Sequence, residues 1–265
     1  MSLLTKGKVL SHRQVAPDMF SLEFAAPEVA QISKPGQFLQ VRPGTTHDPL
    51  LRRPLSLFDV EQEKGVITLL YRVAGKGTRL ITGLQINDSI DIMGPLGRGF
   101  TLPAQPEGVL LIGGGMGLAP LLFLGRALKA KNCLVRVLGG AANSQGLWPA
   151  KRFERLGIPF RAATMDGSEG HQGMVTELMQ EIIQAGGVER IYTCGPEGMM
   201  AAAARYAQVN KIWGEVSLEE HMACGVGACL GCARLLKSGD QGFAKVCKDG
   251  PVFNMDEVEL YKQQG

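Results

Sequence analysis

The chain has 265 residues, enough for two domains or for one large domain with an appendage. Hydrophobic residues make up 45% and charged residues 20%, a balance that supports buried cores and excludes a chain disordered throughout. The net charge is only +3 and no Lys/Arg-rich block occurs, so nothing points to nucleic acid as a partner.

The first ten residues lack the apolar core of a signal peptide. The most apolar stretch, residues 109–124, is broken by glycines and Pro120 and falls short of the ~20 residues that span a bilayer. Six cysteines are too few for a disulfide scaffold. These features predict a cytoplasmic protein with no membrane insertion.

Phe20, Leu22 and Phe24 alternate with Ser21, Glu23 and Ala25, the period of a half-buried strand. Residues 38–41, 66–73 and 89–93 read the same way, with Gly and Pro between them. Such short strands predict an antiparallel barrel over residues 1–101. Residues 101–108 carry two prolines and read as a linker. Residues 109–112 are continuously apolar, as in a strand buried on both faces. Helices are predicted at 118–131, 175–184 and 196–209, alternating with strands at 134–138, 160–164 and 190–194. That alternation predicts a parallel-sheet α/β domain over residues 102–213. Residues 214–265 are Cys- and Gly-rich and form a third unit. The expected fold class is multidomain β + α/β.

Four cysteines crowd into residues 224–247. Cys224, Cys229 and Cys232 have the C-x4-C-x2-C spacing of plant-type 2Fe-2S sites, and Cys247 follows from a separate segment. Gly225, Gly227 and Gly231 let the backbone turn sharply around a compact inorganic core and bring N–H groups towards its sulfurs. A structural zinc site and unligated thiols are the alternatives. Zinc ligands usually come as two short pairs, whereas here three are bunched and one stands alone. Cys133, beside an apolar strand, reads as a core thiol.

In the barrel half, Arg53-Pro54-Leu55-Ser56 sets a guanidinium and a hydroxyl three residues apart, so both can serve one ligand. A solvated Arg pair, Arg52 and Arg53, is the plain alternative. Leu70-Tyr71-Arg72 is followed by the Gly-rich turn at Gly75–Thr78, whose N–H groups, with Gly77 and Thr78, can bind a pyrophosphate. An ordinary hairpin turn fits that stretch equally well.

Gly113, Gly114, Gly115, Met116 and Gly117 follow a buried strand and open a helix, where dinucleotide phosphates can approach the N-terminus. Pro120 takes the last Gly/Ala place of the strict fingerprint, and no acidic residue stands out roughly 20 residues on. Asp166, followed by Gly167 and Ser168, and Cys194-Gly195-Pro196 close two further strands, and ligands of parallel sheets bind at such ends. No catalytic residue is assigned with certainty. Cys194 either faces a nicotinamide or is an inert buried thiol. His12, His47, His171 and His221 have no metal or triad spacing, Glu219 and Glu220 read as a solvated acidic pair, and Met199 and Met200 read as core.

The order of these elements resembles the ferredoxin–NADP reductase superfamily. Within it, the chain closely resembles the electron-transfer subunits of B-type, NAD-dependent dihydroorotate dehydrogenases, along essentially its whole length. The most specific pieces are Arg53–Ser56, Gly113–Pro120, Cys194–Pro196, Glu215–Cys229 and Val246–Phe253. The resemblance implies FAD on Arg53, Pro54, Leu55, Ser56, Leu70, Tyr71, Arg72, Gly77 and Thr78. It implies a 2Fe-2S cluster on Cys224, Cys229, Cys232 and Cys247, and NAD at the strand ends. It also implies a partner, the FMN-containing dihydroorotate dehydrogenase catalytic subunit, in a heterotetramer of two of each. Electrons would pass from the partner's FMN through the cluster and FAD to NAD+, in pyrimidine biosynthesis. Leu55 departs from the wider superfamily, which often has Tyr there. Two rival readings stay open: an electron-transfer subunit of a hydrogenase or of a bifurcating NADH/ferredoxin oxidoreductase, and a non-enzymatic, zinc-stabilised binding module.

Overall fold

The computed structural model describes residues 2–237 and 242–260. The first half carries strands β1 (Leu3–Ala16), β2 (Met19–Ala25), β3 (Phe38–Val41), β4 (Arg53–Glu61), β5 (Val66–Arg72) and β6 (Ser89–Leu96), with short helices α1 (Pro27–Ile32) and α2 (Lys76–Ile81). They close into an antiparallel barrel in the order β1-β2-β5-β4-β3-β6. Side-chain alternation fills it: Leu22, Phe24, Leu39, Leu57, Leu69 and Ile92 are fully buried inside. Each contributes about 1.5–3 kcal/mol by leaving water. β1 is absent from the sequence reading because its polar residues dilute the period-two pattern over most of its length.

The second half carries β7 (Gly108–Gly114), α3 (Ala119–Ala130), β8 (Leu134–Ala141), α4 (Ala150–Arg155), β9 (Phe160–Thr164), β10 (His171–Gln172), α5 (Val175–Gln184), β11 (Arg190–Cys194), α6 (Glu197–Val209) and β12 (Trp213–Ser217). The chain continues with β13 (Ala233–Leu235), β14 (Phe243–Lys245) and β15 (Val252–Asn254). The seven-stranded sheet runs β10-β9-β8-β7-β11-β12-β15. Its pairs are parallel except that β15 lies antiparallel to β12. All seven residues of the central β7 are buried, as its apolar run predicts.

The third unit, expected to begin at residue 214, starts inside β12, and β15 adds an edge strand to the same sheet. Glu215 hides β12 from a hydropathy reading. Its carboxylate is buried and accepts hydrogen bonds from the Thr101 N–H and hydroxyl, both at 2.8 Å. The expected linker is thus clamped to the sheet. The Tyr192 hydroxyl also donates to the Thr101 carbonyl, and Arg190 holds Glu107 at 2.7 Å.

Barrel and sheet share a core in which Met19, Phe58 and Leu70 pack with Leu118, Leu121 and Leu122. Asp59 on β4 pairs with Arg126 on α3 at that seam. Burial raises its carboxyl pKa above the usual range, against the pull of Arg126. Among the described residues, no helix is long and apolar enough to cross a membrane.

Candidate functional site

A cavity of about 1000 Å³ opens at the carboxyl ends of β7, β8, β9 and β11. Gly114, Gly115 and Pro196 line it, as the strand-end rule predicts. Gly113 does not: its Cα packs under Leu118. Gly117 serves close packing too, since a Cβ there would stand 2.6 Å from the Gly195 nitrogen. Asp166 is absent from the lining. Its carboxylate accepts from the Ser168 hydroxyl at 2.6 Å and the Ser168 N–H at 3.0 Å, which holds its pKa below the usual range. The sequence reading omits the lining from the end of β8, at Gly140, Ala141, Ala142 and Asn143. The same rule applied to the Gly139-Gly140 pair closing that strand would have found it. Met199 also faces this cavity, while Met200 is core.

A second cavity, of about 300 Å³, lies where barrel, sheet and C-terminal segment meet. Pro54, Leu55, Ser56, Leu70, Tyr71, Arg72 and Thr78 line it, together with Met116 and Ala119 from the turn before α3. Arg72 and the turn at Gly115 and Met116 separate the two cavities, and Arg72 lines both. Tyr71 contributes little through its side chain. Its ring is in the barrel core and its hydroxyl lies 2.9 Å from His12 Nε2, so burial raises its pKa. The Gly75–Thr78 stretch is not a hairpin turn: it opens α2. The Thr78 hydroxyl accepts from the N–H groups of Ala74 at 2.9 Å and Gly75 at 3.2 Å, closing its own turn. Gly77 leaves space that Arg53 crosses.

Glu219 is exposed, as the sequence suggests, whereas Glu220 is half-buried. Both line the second cavity. Glu219 stands open at the cavity, and desolvation by the chain around it raises its carboxyl pKa. Glu220 binds Arg234 at 2.8 Å, and the same buried guanidinium pairs with Glu197 at the start of α6. Cys194 is 1% exposed, and burial, followed by Glu219, pushes its thiol pKa far up. Its thiol is buried and held neutral in this arrangement.

A third cavity, of about 410 Å³, continues past Pro54, Glu220 and Met222 to Ala223 and Gly231. The four expected cysteines are not in this lining; they lie in the adjoining loop and in the turn after β14. Cys224 interacts with Cys229, and Cys232 with Cys247. Backbone N–H groups point at the sulfurs: Gly227 to Cys247 Sγ at 3.1 Å, Ala228 to Cys224 Sγ at 3.3 Å and Cys247 to Cys232 Sγ at 3.4 Å. The Val226 N–H leads the groups that hold the Cys224 thiol down at about 6, whereas burial and then Cys232 push Cys247 up to about 12. Among the described residues, no three Cys, His, Asp or Glu side chains converge on one ion position. Thiols with backbone N–H donors aimed at their sulfurs suit an iron–sulfur core. Cys133 is buried in the core.

Three family models match the chain. An oxidoreductase FAD-binding domain matches residues 6–100, an oxidoreductase NAD-binding domain residues 111–205, and the iron-sulfur cluster binding domain of dihydroorotate dehydrogenase B residues 219–259. The dihydroorotate dehydrogenase B (NAD(+)) electron transfer subunit of Desulforamulus reducens is 43% identical, covering 96% of this chain and 97% of its own. That of Listeria innocua is 40% identical, over 97% and 100%. Among solved structures, an NADH-dependent reduced ferredoxin-NADP oxidoreductase described for flavin-based electron bifurcation superposes with a TM-score of 0.84. It is 28% identical and covers 96% of this chain and 90% of that one. The chain belongs to the family of dihydroorotate dehydrogenase B (NAD(+)) electron transfer subunits.

Proposed function

We propose that this chain carries electrons from dihydroorotate, oxidised on a catalytic partner subunit, to NAD+. The observation that supports this most directly is the succession of sites: the NAD-sized cavity, Arg72, the cavity at Pro54–Ser56, Met222, then the cavity beside the cysteine loop, which Arg53 lines. When bound, the iron–sulfur cluster supplies one-electron chemistry and FAD exchanges single electrons for a hydride to NAD+. The protein's part is to hold these groups in line and keep water from the seam.

In this reading Arg53 and the first turn of α2 hold the FAD phosphates, with Pro54, Leu55, Ser56, Leu70, Tyr71 and Arg72 around the rest of the cofactor. Gly114, Gly115 and Pro196 hold NAD. Gly113, Gly117 and Gly195 shape that site from behind. Met116 forms the wall shared with FAD. Asp166 lies beyond the lining. Cys224, Cys229, Cys232 and Cys247 hold the cluster. The family-model boundaries support units near 1–101, 102–213 and 214–265, with β12 and β15 shared by the last two.

The catalytic partner, an FMN protein, docks in this proposal beside exposed Cys229. Val226 and Leu230 flank that cysteine in the loop, and Leu235 and Phe243 pair across β13 and β14 nearby. All four are large apolar side chains left open to solvent, as an interaction surface would be. Two of each subunit complete the assembly, in the cytoplasm.

The test is anaerobic visible spectroscopy with NADH, followed by addition of the FMN subunit and dihydroorotate. Flavin and iron–sulfur bands that bleach with NADH, and NAD+ reduction by dihydroorotate only with the partner, are expected. Dihydroorotate oxidation by the isolated chain at the rate of the complex would overturn the division of labour. The likeness to the bifurcating oxidoreductase favours a second reading, a subunit of such an enzyme. Co-purification with a larger flavin subunit in place of a dihydroorotate dehydrogenase would select it.

A further inference from the structure

Among the described residues, three buried side-chain polar atoms have no hydrogen-bond partner, and two of them, Nε2 and Oε1, belong to Gln40. Gln40 is fully buried, so bulk water does not satisfy it. A carboxamide sealed away with neither end bonded is costly, and natural proteins keep one only where a partner is supplied.

Its position says what that partner is. Gln40 lies on β3 between Leu39 and Val41, whose side chains fill the barrel, so its own points outward. Phe38, on the same outward face, packs in one core with Cys232 and Cys247. Gly225 follows Cys224 directly and has a left-handed φ of +72°. A Cβ there would meet three atoms of Gln40: Nε2 at 2.7 Å, Cγ at 2.8 Å and Cδ at 3.1 Å. The glycine therefore lets the cysteine loop settle onto this amide. Nε2 is the end of the amide set against Gly225, so the group presents its N–H donors to the cysteine loop.

We propose that Gln40 is a hydrogen-bond donor from the barrel to the iron–sulfur cluster, on its Cys224 side, and that it sets the cluster's reduction potential. The inference rests on the iron–sulfur reading of the four cysteines. Donors to cluster sulfur stabilise the more negative, reduced form and raise the potential. The backbone supplies such donors to Cys224, Cys232 and Cys247, and Gln40 adds a side-chain donor from another domain.

The experiment is redox titration of the FAD- and cluster-loaded protein, followed by electron paramagnetic resonance, for wild type, Gln40→Met and Gln40→Glu. Iron and acid-labile sulfide are quantified first; absence of both in wild type would mean that the cluster reading had failed, not this one. The expected result is a cluster midpoint lowered in Gln40→Met and lowered further in Gln40→Glu, where a negative charge replaces the donor. The FAD midpoint and NADH-dependent flavin reduction stay unchanged. Equal cluster midpoints in all three proteins, or a shift confined to FAD, would overturn the proposal. Because either variant can lose the cluster, wild type labelled with side-chain 15N glutamine is measured as well. A weak 15N hyperfine coupling on the reduced cluster is expected, and its absence overturns the assignment.

Discussion

Arg53 lies across the face of Gly77: a Cβ on residue 77 would stand 2.6 Å from Arg53 Cζ and 2.7 Å from Nη2. The guanidinium meanwhile donates to the Leu51 carbonyl at 2.7 Å, so it is held over the first turn of α2 before any ligand arrives. Barrel strand and helix thus meet at the position proposed for the FAD phosphates.

Gly77→Ala should therefore displace Arg53 without touching the cysteine loop. Losing one charge-assisted hydrogen bond of about 1.5–3 kcal/mol corresponds to roughly a tenfold to hundredfold weaker FAD affinity. The measurement is flavin content and affinity by absorbance, with iron content as the control. FAD affinity equal to wild type would remove Arg53 from the cofactor site.

The glycines before α3 divide into two roles that a pair of variants separates. Gly115 has a φ of +54° but open space around it, and it lines the larger cavity. Gly115→Ala should cost about 1–2 kcal/mol of backbone strain and raise the KM for NADH. Gly117→Ala drives a methyl into the backbone at Cys194 and Gly195. It should destabilise by about 3 kcal/mol, the upper end for overpacking, because backbone cannot step aside. Urea unfolding and NADH kinetics on both variants would show whether the two effects part company in this way.

The cysteine cluster was legible as a pattern because three of its four cysteines fall within nine consecutive residues, a crowding that a compact inorganic core requires. The barrel was legible where alternation is clean, at residues 20–25, and not where β1 runs with polar residues on both faces. Residues that act across the fold left no local signal. Glu215 reads as a charge that interrupts a strand until Thr101 is seen donating to it. Gln40 reads as polar filler until Gly225 arrives against it. The same holds for Glu219 and Glu220, which hydropathy places in water and the meeting of three units places around a cavity.

Arg234 ties three regions together, and its removal should show in stability before activity. It is 7% exposed, bonds Glu220 at 2.8 Å and Glu197, and donates to the Glu259 carbonyl at 3.2 Å. Arg234→Met leaves two carboxylates without their cation. Breaking a buried pair costs about 3–5 kcal/mol, and the partial exposure of Glu197 places this case at the lower end. Adding Glu220→Gln should recover part of the loss. Urea midpoints for the single and double variants test it, and additive losses would mean that the two residues are not coupled.

Glu219 gives the chain a pH response whose sign follows from its surroundings. Desolvation by the chain around it raises its carboxyl pKa above the ordinary 4.5, so the folded protein holds this proton where the unfolded chain has released it. The stability it contributes is complete below the unfolded value and is lost as pH rises through the folded one. Glu219→Gln stays neutral and escapes that loss. The variant should match wild type in thermal midpoint near pH 4 and exceed it increasingly as pH rises, until the wild-type carboxyl is fully ionised. Asp59 and Glu215 are shifted the same way by burial, but they are present in both proteins and cancel in the difference. A thermal-midpoint difference independent of pH would mean that Glu219 is solvated like any surface carboxylate. A difference growing towards acid would reverse the sign and require a cation beside it.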